Sequence, residues 1–130
     1  TNFRRIGTIS TDVGSVFASA DVVRLFTFDL PEIITGTYTG NGVDNRNITI
    51  GFKNTAIRPN LIIIKPNAAS VAVWRGLAHT GDATSYFDAQ SNATDIIQVV
   101  GENYFQAGVS SNANGAGTSY FFVAIGVSEV

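Results

Sequence analysis

Asn112-Ala-Asn-Gly-Ala-Gly-Thr-Ser-Tyr-Phe-Phe-Val-Ala-Ile125 is the stretch that decides the fold class. Its first half is a turn by composition, because Asn and Gly reach backbone conformations that other residues avoid. Its second half, carried on to Val127, alternates Tyr120, Phe122, Ala124 and Gly126 with Phe121, Val123, Ile125 and Val127. A period of two is the period of a strand. Both sets are largely apolar, which predicts a central strand covered on both faces. Gly36-Thr-Tyr-Thr-Gly-Asn-Gly42 joins strand to turn in the opposite order, and the strand reading extends back to Ile33.

Working outward, the same punctuation recurs. Asn47–Phe52 puts Ile48, Ile50 and Phe52 on one face. Pro59–Pro66 is an apolar run between two prolines, which fits a strand covered on both sides. Ser70–Arg75 alternates Val71 and Val73 with Ala72 and Trp74. Ala93–Val100 and Asn103–Val109 read as two strands joined at Gly101-Glu102, a pair that suits a type II′ hairpin. Strands at this spacing, with no internal repeat, predict an all-β fold, an antiparallel β-sandwich of about eight strands. Residues 33–130 are assigned to it. The segment between Leu77 and Asn92 is its main irregular loop, the kind of place where binding residues collect.

Composition agrees. Val, Ile and Thr occur 13 times each and aromatics add 14, against four Leu, two Lys and no Met. β-branched and aromatic side chains suit a pleated sheet and lose rotamer freedom in a helix. The net charge is −2, so nucleic acid and anionic membrane are not expected partners. No apolar run reaches the length of a membrane-spanning helix, and no membrane insertion is expected. Only 14% of residues are charged, against about 25% in an ordinary soluble chain. Such a surface predicts burial in an assembly. With no cysteine there is no disulfide framework or thiolate metal site. A leading Thr without a secretory signal is read as a whole product of cytoplasmic synthesis after removal of Met. The triplets at Asn47 and Asn92 that match a glycosylation acceptor are therefore read as chance.

Residues 1–32 differ from the rest of the chain. They carry no sustained period until Val22–Leu30, which places Phe26, Phe28 and Leu30 on one face of a plausible strand. They are read as an arm that docks to a partner through Phe3, Arg4, Arg5, Ile6, Phe17, Phe26 and Phe28.

Signals for chemistry are weak. His79 is the only histidine, too few for a nitrogen-rich metal site. A catalytic reading would need nucleophile, base and orienting group together, and no nucleophile-elbow motif is present. Asp82, Asp88 and Asp95 could pair as glycosidase acids only at a defined separation, and no regular calcium loop surrounds them. No cofactor, metal or catalytic residue is assigned, and no enzymatic activity is expected. The stronger candidates are for surface recognition: Trp74 and Arg75, with His79, Asp82, Tyr86 and Phe87 in the following loop. Alternation places Trp74 and Arg75 on opposite faces. The plain reading puts the indole in the core and the guanidinium in water.

The ordered set Gly36–Gly42, Ile48-Thr-Ile-Gly-Phe52, Pro59–Lys65, Trp74-Arg-Gly76, Asn103-Tyr-Phe-Gln-Ala-Gly108 and Asn112–Ile125 resembles a module of tailed-bacteriophage virion proteins of the tail-fibre and receptor-binding kind. It covers about residues 35–127. Two features depart from the pattern: a longer insert between Phe52 and Pro59, and no fibre shaft. The resemblance therefore implies a small virion-surface protein, a capsid decoration (cement) protein or short head fibre, synthesised in the host cytoplasm and carried on the particle exterior. Expected partners are further copies of the chain as a homotrimer and phage capsid or tail proteins. A host-surface glycan is the alternative, with the chain acting as a receptor-binding module.

Overall fold

The computed structural model describes residues 31–127. They contain eight strands and no helix: β1 (Pro31–Thr39), β2 (Arg46–Thr49), β3 (Pro59–Pro66), β4 (Val73–Gly76), β5 (Ser85–Tyr86), β6 (Ile97–Gly101), β7 (Tyr104–Ala107) and β8 (Ser119–Val127). A five-stranded sheet runs β1-β8-β3-β4-β5 and a three-stranded sheet runs β2-β7-β6. Every pairing is antiparallel. The fold is the expected all-β sandwich. The residues expected to dock, Phe3, Arg4, Arg5, Ile6, Phe17, Phe26 and Phe28, and the strand expected at Val22–Leu30, lie outside the described residues.

The core lies between the sheets. From the large sheet come Ile62 and Ile64 of β3, Val73 of β4, and Tyr120, Phe122 and Ala124 of β8. Ile48, Ile97, Phe105 and Ala107 answer from the small one. Ile50 and Phe52 continue the expected face of Ile48 past the end of β2 and are equally buried. Tyr38 of β1 stacks on Tyr120, with ring centroids 5.1 Å apart and planes 16° from parallel. Phe105 meets both Tyr38 and Phe122 edge-on. Four rings therefore cluster in one part of the core, while Phe52 sits apart, near Gly126.

Three expectations need correction. β1 starts at Pro31, two residues inside the stretch assigned to the arm. Proline is tolerated as the first residue of an edge strand, where its missing N–H costs no ladder bond. β8 is central, as expected, and β3 lies beside it, but within the single chain only one face of each is fully covered. On each strand the inward side chains are buried and the outward ones only half-buried or exposed, because the second sheet covers one face alone. The β6–β7 loop is Glu102-Asn103, since Gly101 pairs with Tyr104. Of these two loop residues only Asn103 has positive φ, at 61°; a type II′ turn would need it at the first loop position. Gly101 serves packing instead, for a Cβ there would sit 2.2 Å from the Tyr104 ring.

The two glycine-rich segments, 36–42 and 112–125, close on each other. β1 and β8 pair along their whole length, Pro31 opposite Val127 and Thr39 opposite Ser119. Beyond Thr39 the chain leaves the large sheet and reaches β2 across a loop held by Asn114. That side chain is completely buried. Its Oδ1 accepts from the Asn41 N–H (3.0 Å) and from Arg46 Nη1 (3.2 Å), and its Nδ2 donates to the Val43 carbonyl (2.8 Å). Backbone bonds from Gly42 to the Asn114 carbonyl and from Gly40 to the Thr118 carbonyl complete the join. Gly40 approaches so closely that a Cβ would lie 2.2 Å from the Gly115 oxygen. Asn103 does the same work at the other end, where its Oδ1 accepts from the N–H groups of Gly51 and Phe52.

Asn114→Ala removes the bonds to the Asn41 N–H and the Val43 carbonyl and leaves a cavity where the fully buried amide sat; it should lower unfolding free energy by about 1–3 kcal/mol, read from denaturant titration. A second expected outcome concerns alkali. Burial, then the neighbouring Tyr120, push the Tyr38 phenol well above its ordinary value of 10, with Arg46 opposing. Its hydroxyl donates to the Ala113 carbonyl. Above pH 10 the unfolded chain loses this proton while the folded one keeps it, so the folded state binds more protons. The contribution of Tyr38 is therefore fully present below pH 10 and falls as pH rises above it, by up to about 1.4 kcal/mol per pH unit. Tyr38→Phe should remove that part of the alkaline slope in pH-dependent unfolding.

Candidate functional site

The β4 strand sorts the candidate residues. Val73 and Arg75 point inward and Trp74 and Gly76 outward. Arg75, 8% exposed, is thus the inward partner of the pair, the reverse of the plain sequence reading. Its guanidinium donates to the carbonyls of Gly81 (2.6 Å), Ala83 (2.7 Å) and Ile97 (3.1 Å). A planar cation with five donors can gather carbonyls from separate segments, which no apolar side chain can do. Burial pushes its pKa below the usual arginine value, and Asp82 pulls it back up. Arg75 therefore fastens residues 81–97 to β4 and is not displayed to a ligand.

Thr84, completely buried, adds a second fastening. Its hydroxyl donates to the Ile97 carbonyl (3.2 Å) and accepts from the Ile97 N–H (3.0 Å), so a side chain stands in for a missing neighbour strand. Asp82 Oδ2 accepts from the Asp95 N–H at 2.9 Å, while its buried Oδ1 has no hydrogen-bond partner. Asp88 accepts from the backbone and side chain of its own neighbour Gln90. Among the described residues no group of three or more His, Asp or Glu converges as metal ligands would.

His79 lies at the head of a polar chain. The Gly76 N–H donates to Nδ1 (3.1 Å), Nε2 meets Ser85 Oγ (2.8 Å), and Ser85 Oγ donates to Asn92 Oδ1 (2.6 Å). In the neutral imidazole, an Nδ1 that accepts leaves the proton on Nε2. Nε2 therefore donates to Ser85, whose own hydrogen points on to Asn92. A general base must take the serine proton, and here the direction is reversed. The chain of bonds ties β4, Ser85 and Asn92 together and so braces the loop.

What reaches the surface is a smaller aromatic group. Trp74 meets His79 at right angles, with centroids 4.6 Å apart, and Phe87 at 6.4 Å. Phe87 is 57% exposed, and Leu77 is the most exposed large apolar residue described. Tyr86 turns the other way and packs against the core. Of the six candidates, Trp74, His79 and Phe87 come together outside, whereas Arg75 and Tyr86 are used inside and Asp82 braces the loop. Sequence reasoning missed Thr84, Ser85 and Asn92, which lie in a tract of small polar residues with no period to mark them.

A wider surface was also missed in its location. The register places Ile33, Ile125 and Leu61 in one outward row of the large sheet, and Thr35, Val123, Ile63 and Trp74 in the next. Phe121 lies beyond, between Thr37 and Lys65. Ile33 is 62% exposed and Phe121 47%. Lys65 is the one charged side chain in these rows, and its ammonium donates to the carbonyls of Pro66 and Ala68. A shallow groove of about 530 Å³ runs along this end, past Thr37, Lys65, Asn67 and Phe121. The outward face of the small sheet is of another kind: Asn47 and Gln106 hydrogen-bond across it (3.1 Å).

Arg75→Lys keeps a charge but replaces a three-way fork by a point donor. It should cost about 2–3 kcal/mol and speed amide exchange at Thr84, Ala93 and Ile97 before the core strands, as read by hydrogen-exchange mass spectrometry. Uniform protection across these residues and β8 would mean that the fork does not hold the loop.

Among the described residues no helix is long and apolar enough to cross a membrane. No family model, no curated protein and no solved structure matches this chain.

Proposed function

We propose that this chain is a non-enzymatic structural protein of a tailed-phage virion, a small surface sandwich of the capsid-decoration or short head-fibre kind that docks through its N-terminal residues. The resemblance of its ordered motifs supplies the class. The observation that carries the reading is the outward face of the five-stranded sheet, apolar along β8 and β3 with Ile33 and Trp74 on either side, threonines along β1, and a single charge bonded to its own chain. An exposed apolar face of this extent marks a contact surface. The internal wiring supports the same reading. Arg75, Thr84, Asn103 and Asn114 spend their polar groups on the protein's own backbone, which makes a rigid carrier. The His79–Ser85 hydrogen bond, with the Ser85 hydrogen directed to Asn92, runs opposite to what a serine nucleophile paired with His79 would need.

The test is incorporation into particles. A tagged copy expressed during infection should band with density-purified virions at a fixed copy number, measured by quantitative mass spectrometry. Deletion of residues 1–20 should abolish incorporation while circular dichroism reports an unchanged sandwich. Absence of the full chain from banded particles would sink the reading.

A second reading, recognition of a host-surface glycan, is favoured by one observation: the exposed cluster of Trp74, His79 and Phe87. Aromatic faces stack on sugar rings. On that reading Trp74→Ala should abolish glycan-array binding with the fold retained, and an array on which the intact chain binds nothing would remove it.

A further inference from the structure

We propose that the outward face of the five-stranded sheet is a homotypic interface, covered by a second copy of this chain. The proposal rests on the assembly reading and names the partner.

Charge is the first reason. A face that carries charge of one sign only repels its own copy, because each charge then meets another of that sign. The rows Ile33–Ile125–Leu61 and Thr35–Val123–Ile63–Trp74 carry no charge at all. Lys65, one row further, lies at the margin with its ammonium already bonded to the carbonyls of Pro66 and Ala68. A foreign partner selected by electrostatics would need a charge pattern to read, and this face offers none. A neutral apolar face is complementary to itself.

The layout of the face is the second. Thr35, Thr37 and Thr39 of β1 line one margin with hydroxyl-bearing side chains. Lys65 and Asn67 close one end, and the apolar rows fill the middle. An apolar centre inside a polar rim is how protein interfaces are arranged. Trp74 supplies the large aromatic that dominates such contacts, and the Gly76 beside it leaves its ring room, a Cβ there lying 3.4 Å from the indole.

Size is the third. The four strands hold nine, nine, eight and four residues, and at about 3.3 Å per residue and about 4.8 Å between strands they project to about 480 Å². Side chains add to that projection, so the face is of the order of the ~800 Å² of accessible surface each partner contributes to a standard stable interface. The face is therefore large enough to hold copies together. The polar outward face of the small sheet, crossed by the Asn47–Gln106 hydrogen bond, serves as an internal control.

The experiment is the mass of the full chain in solution, by light scattering across a range of concentrations. A protomer is 13.8 kDa, so a homotypic face predicts an integral multiple of that mass. Ile33→Asp and Phe121→Asp should each reduce it to a single protomer, or weaken association at least 100-fold. Both positions are exposed in the single chain, so the fold tolerates the change, and circular dichroism checks it. Val99→Asp, the same change on the outward face of the small sheet, should leave the mass unaltered. A monomer at every concentration overturns the proposal, as does an oligomer that survives both outer-face substitutions. The two readings fail separately. A monomer that still bands with particles removes the homotypic face and keeps the virion reading, whereas an oligomer absent from particles does the reverse.

Discussion

A single buried carboxamide holds the architecture in register. A two-sheet fold must carry its chain from one sheet to the other, and the crossing is where backbone groups lose their ladder partners. Between β1 and β2 the crossing runs from Gly40 to Asn45, and Asn114 stands behind it with both ends of its amide in use. A fully buried amide without partners is costly, so Asn114 is accommodated only when this loop lies against the β7–β8 connection. That connection reaches its place because Tyr120 accepts from the Gly115 N–H and donates to the Ser111 carbonyl. The ring of Tyr120 in turn stacks on Tyr38 of β1. Core packing and loop wiring are therefore one system: the aromatic pair sets the spacing at which the amide finds its partners.

The rigidity that results is unevenly spent. Inside, polar side chains answer backbone groups of distant segments, with Thr84 bonded to both backbone groups of Ile97 and Asn103 to two successive N–H groups. Outside, the sheets diverge. The small one presents amides and hydroxyls, and the large one presents aliphatic and aromatic groups. Antiparallel sheets ordinarily solvate one face and bury the other. The large sheet departs from that arrangement in β3 and β8, whose outward residues Leu61, Ile63, Phe121, Val123 and Ile125 are apolar as well.

Much of this was legible in the sequence because strand periodicity is local. Pro59 and Pro66 mark the ends of β3, and Ile48, Ile50 and Phe52 were correctly placed on one buried face. Low charge pointed to apolar side chains left at the surface, although the outward rows that hold them emerged only with the β1-β8-β3-β4 order, which no short window of sequence contains. Alternation separated Trp74 from Arg75 but could not say which faces inward. Hydropathy favours the indole, and the answer is set by three carbonyls, of Gly81, Ala83 and Ile97, that converge only in the fold. Gly101 resembles a turn glycine because turns and crowding both select glycine, and only the Tyr104 ring tells them apart. Asn114 sits in a tract that composition reads as solvent loop. Its partners at positions 41, 43 and 46 are about seventy residues away, beyond the reach of any local rule.

Trp74 is the residue on which the two functional readings meet. It belongs to the row Thr35–Val123–Ile63–Trp74 and also to the cluster with His79 and Phe87. An indole covered by a second copy of the chain is closed to a sugar ring, so one molecule cannot use Trp74 for both. The geometry around it favours coverage. Stacking on a sugar needs a free ring face, whereas this ring is half-buried, crossed at right angles by the imidazole of His79, and lies beside Gly76 of its own strand. What remains outward is continuous with the aliphatic rows of β3 and β8, and a surface continuous with a large apolar face gains most from water when the whole face is buried at once.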